Sequence, residues 1–175
     1  MAALSFDLSA QAAFIRGPVL DRKNSRLGRR ETTVKPDKWK TISAAAAEGE
    51  YLVVASYLSL TSALKLPEFL WYSLRVLRQL GTAKGLLGYS TQAALWRRKF
   101  WTLSVWQNEA MLREFVEQAA HGKSMKRFER HIHEAKAAQW QVAGRSLPPD
   151  WQDAKERLAH APDTKHPPAD HSAEN

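Results

Sequence analysis

The chain has 175 residues, 44% of them hydrophobic, with seven Trp and no Cys. That suffices for one packed domain and excludes disulfides, thiolate metal sites and cysteine nucleophiles. Net charge is +8, and no apolar run approaches the roughly 20 residues of a membrane span. No membrane partner is therefore expected, and the composition fits a cytoplasmic protein.

Residues 1–48 read as a basic extension. From Arg16 to Lys40 there are nine Lys/Arg against three Asp/Glu, and so polar a segment cannot bury enough surface to fold alone. It reads as a solvated arm, or as an arm for nucleic acid or another acidic surface. Short helices are predicted near Leu4–Ile15 and, in the Ala-rich stretch, at Thr41–Ala47. The first 18 residues lack the basic start and long apolar stretch of a secretory signal.

A single domain is predicted over 49–160. "EYLVVASYLSL" is rich in β-branched and aromatic residues and apolar on both faces, as in a strand buried on both sides. Leu66, Phe69, Leu70, Leu74, Leu77 and Leu80 then recur at helical spacing, with Pro67 suited to the first turn and Gly81 to the stop. "GLLGYSTQAALW" and "FWTLSVW" read as two strands joined at "RRK". Asn108 is placed to cap a second helix with Leu112, Phe115, Val116 and Ala119 on one face. Gly122 marks a break, and Met125 and Phe128 carry the stripe on. "AAQWQVAG" reads as the fourth strand and "SLPPDWQDAKERLA" as a turn and a final short helix. Residues 161–175 read as a disordered tail.

The order β-α-β-β-α-β is that of an α+β, ferredoxin-like domain. Two helices cover one face of such a sheet, so the other apolar face is expected to meet a second copy in a homodimer. On the third strand Trp101, Leu103 and Val105 are the more apolar set and are expected to face the helices. Phe100, Thr102, Ser104 and Trp106 would then face the interior of a barrel.

"LSVW" at 103–106, Leu112-Arg113, Phe115-Val116 and Ala120-His121, followed by "QWQV" and "LPPDWQDAKERL", resemble an uncharacterised bacterial family of the dimeric α/β-barrel superfamily. Over roughly Glu50 to Leu158 the chain is similar to the antibiotic biosynthesis monooxygenase-like proteins. The resemblance implies a homodimer and a monooxygenase-like protein acting on a hydrophobic or aromatic small molecule. A non-catalytic ligand-binding domain is the alternative. Haem-degrading relatives use an Asn on the first strand, a Trp on the second helix and an axial His. His121 matches the His, Phe115 stands at the Trp position, and the first strand holds no Asn. Haem thus enters as a cofactor through His121 alone.

His121 is accordingly the candidate catalytic residue, since a neutral imidazole can take a proton near pH 7 or ligate haem iron. Tyr57, Tyr89, Thr102, Ser104, Trp106 and Phe115 are the candidate ligand-binding residues, aromatic walls with two polar groups. His131 and His133 lack further ligands at zinc spacing, so no metal site is expected. A nucleic-acid role is disfavoured on the sheet. Lys99-Phe100-Trp101-Thr102-Leu103 lacks the glycine and the second aromatic of an RNA-recognition strand.

Overall fold

The computed structural model describes residues 37–117 and 129–164. Five strands form one antiparallel sheet in the order β1-β3-β4-β2-β5. They are β1 (Lys40–Thr41), β2 (Glu50–Leu60), β3 (Leu86–Ala94), β4 (Lys99–Trp106) and β5 (Ile132–Ala143). Helix α1 (Leu66–Leu80) joins β2 to β3, α2 (Glu109–Glu117) follows β4, and α3 (Trp151–His160) follows β5. The ferredoxin-like order read from the sequence is present, with β1 added at one edge.

Local chemistry sets the element ends. Pro67 sits in the first turn of α1, where its missing N–H costs no intrahelical bond, and Gly81 is the C-cap. Asn108 Oδ1 accepts from the Met111 N–H at 3.1 Å and Asp150 Oδ1 from the Gln152 N–H at 3.0 Å, which satisfies one free donor at the start of α2 and of α3. Residues Leu95–Arg97 make a tight turn between β3 and β4, completed by Arg98 in the left-handed region (φ 55).

Both faces of the sheet are covered. On one face Leu52, Leu80, Leu86, Tyr89, Trp106, Leu112 and Phe115 pack as a cluster between the sheet and both α1 and α2. On the other, Val53, Ala55, Leu103 and Val105 are fully buried against Ala154 and Leu158 of α3. The second face, expected to await another copy, is thus covered by the chain's own last helix, helped by Trp39 and Ala45.

This arrangement reverses the expected faces of β4. Trp106 lies 5.3 Å from Phe115 of α2, and Phe100 lies 4.5 Å from Phe69 of α1. Trp101, Leu103 and Val105 instead belong to the α3 side. Polarity could not separate the two sets because each meets a helix.

The chain between 41 and 47 is not helical. Ile42 and Ser43 donate to Leu87 O, and Ala46 N donates to the Tyr51 hydroxyl at 2.8 Å. Tertiary hydrogen bonds override the helix preference of four alanines. Residues 37–48, assigned from sequence to the extension, therefore line the sheet. Asp163 Oδ1 likewise accepts from Ala135 N at 3.1 Å, and Thr164 N donates to Ala135 O, beside β5. Leu74, expected in the α1 stripe, is exposed beside Trp71 on the outer side. β5 also starts earlier than expected, so His133 is an exposed strand residue and His131 ends the turn before it. The helix expected at Leu4–Ile15, and Ala119, Gly122, Met125 and Phe128, lie outside the described residues.

Gly88 shows how closely the edge segment approaches. A Cβ there would lie 2.7 Å from Lys40 O and 2.7 Å from the Trp39 ring. Gly88→Ala is expected to push β1 off the edge and to cost about 1–3 kcal/mol. Urea unfolding checks the cost, and faster hydrogen exchange at Ile42 and Ser43 checks its location.

Candidate ligand site on the helical face of the sheet

The register sorts the helix-facing side chains into rows across the sheet. Leu86, Trp106 and Leu52 form one row, and Tyr89, Ser104, Val54 and Gln139 the next. Thr91, Thr102, Ser56 and Ala137 follow, then Ala93, Phe100, Leu58 and Ala135. The first two rows pack under the C-terminal half of α1 and under α2. The last row belongs to a separate cluster of Leu60, Phe69 and Ile132 with Tyr72 and Phe100.

Between these clusters lies a row of small and hydroxyl-bearing side chains. Ser56 is exposed there, although β2 is an interior strand of the sheet. Thr91, Thr102 and Ala137 beside it are half-buried. Helices covering a sheet bury the inward positions of its central strands, so an exposed inward hydroxyl marks a gap between the described helices of the layer. The result is a trough floored by hydroxyls and ended on each side by aromatic rings.

The ends of the trough are fixed by packing and hydrogen bonds. Trp106 Nε1 donates to Ser104 Oγ at 3.0 Å, and Ser104 Oγ donates to Val54 O at 3.4 Å. The indole is thereby oriented beside Phe115, with the rings tilted by 41°. Lys40 Nζ lies 5.4 Å from the centre of the Tyr89 ring, a cation–π contact.

The structure brings together five of the six candidate ligand-binding residues. Tyr89, Ser104, Trp106 and Phe115 share one end of the trough, and Thr102 lies in its floor. Tyr57 is on the opposite face, 5.4 Å from Trp101 with Lys99 Nζ 5.9 Å from its ring. His121 lies outside the described residues. Ser56, Thr91 and Ala137 escaped the sequence reading. Ser56 carried a usable signal, because it is the polar member of the alternating set Leu52, Val54, Ser56, Leu58, Leu60. Among the described residues no group of three or more His, Asp or Glu is placed to hold a metal ion.

Comparison with known proteins agrees with this architecture. A candidate monooxygenase from Fusobacterium nucleatum subsp. nucleatum superposes with a TM-score of 0.54 at 12% identity, over 63% of this chain and 50% of that one. A candidate monooxygenase from Lactobacillus acidophilus gives 0.49 at 8% identity, over 63% and 53%. SnoaB, a cofactor-independent oxygenase from Streptomyces nogalater, gives 0.43 at 11% identity, over 57% and 98%. The chain spans about half the length of the first two. At these identities the likeness is one of fold. No curated protein matches the sequence. Residues 67–169, from the first turn of α1 past the end of α3, match a family model described as a domain of unknown function. Both aromatic ends and most of the floor of the trough fall inside that span, and the chain belongs to this family, DUF3291.

Proposed function

We propose that the trough binds a hydrophobic or aromatic small molecule and that the chain acts on it as a monooxygenase-like protein. The exposed hydroxyl of Ser56, on an interior strand between two aromatic clusters, carries this reading. Concave sites with apolar walls and a few placed polar groups are typical of small-molecule binding. Ser56, Thr91 and Thr102 offer hydrogen bonds to polar edges of a ligand, and the rings at each end offer contact to its faces. The monooxygenase description of the Fusobacterium protein supports the reaction class.

The four rows hold no carboxylate and no imidazole, so these residues bind and orient a ligand rather than take its proton. We assign the proton acceptor to His121 on the sequence pattern. Haem does not fit the four rows, which contain no imidazole, thiolate or thioether to ligate its iron and whose one phenol, Tyr89, is buried. This lining of hydroxyls and one amide, without a proton acceptor, also favours a second reading, a domain that binds its ligand without turnover.

The test uses a polycyclic hydroquinone, which can itself supply the electrons that reduce one oxygen atom to water, with binding followed by tryptophan quenching and turnover by oxygen uptake. Thr102→Leu fills the floor and is expected to weaken binding on the order of tenfold while leaving the melting curve in place. Unchanged affinity would remove the trough as the site. His121→Ala is expected to keep binding and lose oxygen uptake. Binding without uptake in the unaltered protein would establish the second reading.

A further inference from the structure

One end of the sheet carries large apolar side chains that the fold leaves in water. The turn Ala63–Lys65 after β2, the turn Leu95–Arg97 between β3 and β4, and the turn Glu129–His131 before β5 all lie at this end. The register shows it: Ser59 pairs with Lys99, Leu60 pairs with Ile132, and Thr61 N donates to His131 O at 2.9 Å. Leu64 is 91% exposed, Trp96 is fully exposed and Leu95 is 44% exposed. A lone exposed Leu is ordinary, but three at the tips of adjacent turns form a patch that marks an interaction surface.

Basic side chains outnumber acidic ones around these tips. Arg97 and Arg130 are exposed, and Arg98 and Lys99 are half-buried beside them. The nearby acids are mostly committed: Glu68 pairs with Lys65 at 3.2 Å and Glu134 with Lys136 at 3.3 Å. Glu129 precedes Arg130 in the same turn.

We propose that this end of the sheet docks on the surface of an anionic lipid bilayer. Leu64, Leu95 and Trp96 enter the interface, and Arg97 and Arg130 meet the headgroups. An indole suits the boundary between headgroup and acyl chain, and basic side chains gain from the negative surface potential of such a membrane. A nucleic acid would use the same cations, but Leu64 and Leu95 are aliphatic and offer no ring for base stacking. Membrane docking of this kind needs no spanning segment. It lies at a different place from the trough and does not depend on it.

The experiment is co-sedimentation of the full chain with vesicles of phosphatidylcholine alone and with about 30% phosphatidylserine added. Binding is expected on the anionic vesicles and to be weaker on the neutral ones. The double variant Leu64→Ser, Trp96→Ser is expected to reduce it on the order of tenfold. Because the chain has no Cys, Leu64→Cys alone can carry a polarity-sensitive dye, whose emission should shift to the blue on anionic vesicles. Undiminished binding of the double variant would assign the attraction to the basic N-terminal residues and overturn the proposal. An unshifted dye would do the same, as would absence of binding to anionic vesicles, or a dye shift with oligonucleotide or with protein concentration instead.

Discussion

Trp106→Ala is expected to lower the unfolding free energy by about 3–5 kcal/mol, the range for deleting a large buried ring. Trp106 is 1% exposed and is the largest of the fully buried side chains. It closes β4 and pairs with Leu52 and Leu86 on its two neighbouring strands, so its ring sits where three strands and α2 meet. Deletion leaves a void against Phe115 that backbone on three strands would have to move to fill. It also removes the N–H donor to Ser104 Oγ, which would keep its own bond to Val54 O. Trp106→Phe separates the two losses, since it keeps ring contact and is expected to cost distinctly less. The measurement is the urea midpoint at constant slope, because a shifted midpoint without a changed slope reports stability alone. A loss under about 1 kcal/mol would show that the site collapses around the deletion.

A chain ended before Trp151 is expected to lose its folded, soluble form. Ala154 and Leu158 of α3 cover Val53, Ala55, Leu103 and Val105, none of which has measurable exposure. Trp151 Nε1 donates to Ser90 Oγ at 3.2 Å, and the Arg157 guanidinium lies 4.7 Å from the Trp140 ring centre. Burying each large apolar side chain contributes about 1.5–3 kcal/mol, so losing Leu158 and Trp151 together removes several kcal/mol. A domain whose whole stability is about 5–15 kcal/mol has little reserve against that. Leu158→Ala in the full chain is the graded version, with an expected cost of about 2–5 kcal/mol. Size-exclusion chromatography and a melting curve decide the matter. A truncated chain that elutes in the same oligomeric state as the full chain and melts unchanged would show that α3 adds nothing to the core.

The elements whose ends are set by local chemistry were the legible part of this fold. Pro67, Asn108 and the alternating residues of β2 act through their own backbone or their neighbours three residues away. What the sequence hid depends on partners distant along the chain. Phe100, Ser104 and Trp106 differ little in polarity from Trp101, Leu103 and Val105. Only the presence of α3 on the second face tells which set meets which helices. The alanines of 44–47 favour a helix until Leu87 takes the N–H groups of Ile42 and Ser43 just before them and Tyr51 takes that of Ala46. At the trough, Tyr89, Thr102, Ser104, Trp106 and Phe115 stood out by residue type. Ser56, Thr91 and Ala137 did not, because small residues become a site only when the register aligns them in one row.

The interior position of β2 has a consequence for the order in which the chain is made. Val53 pairs with Val105 on one side and Trp140 on the other, so its two neighbours are synthesised much later than it is. At about 5–20 residues per second, β2 waits on the order of ten seconds after its own synthesis before β5 exists. Both edges of this strand, apolar on both faces, are open until β4 is made, and the edge that meets β5 stays open for the whole interval. The hazard during synthesis is therefore sheet formation between neighbouring nascent chains on one messenger. An unprotected β2 is the segment that a chaperone acting at the ribosome exit would have to hold.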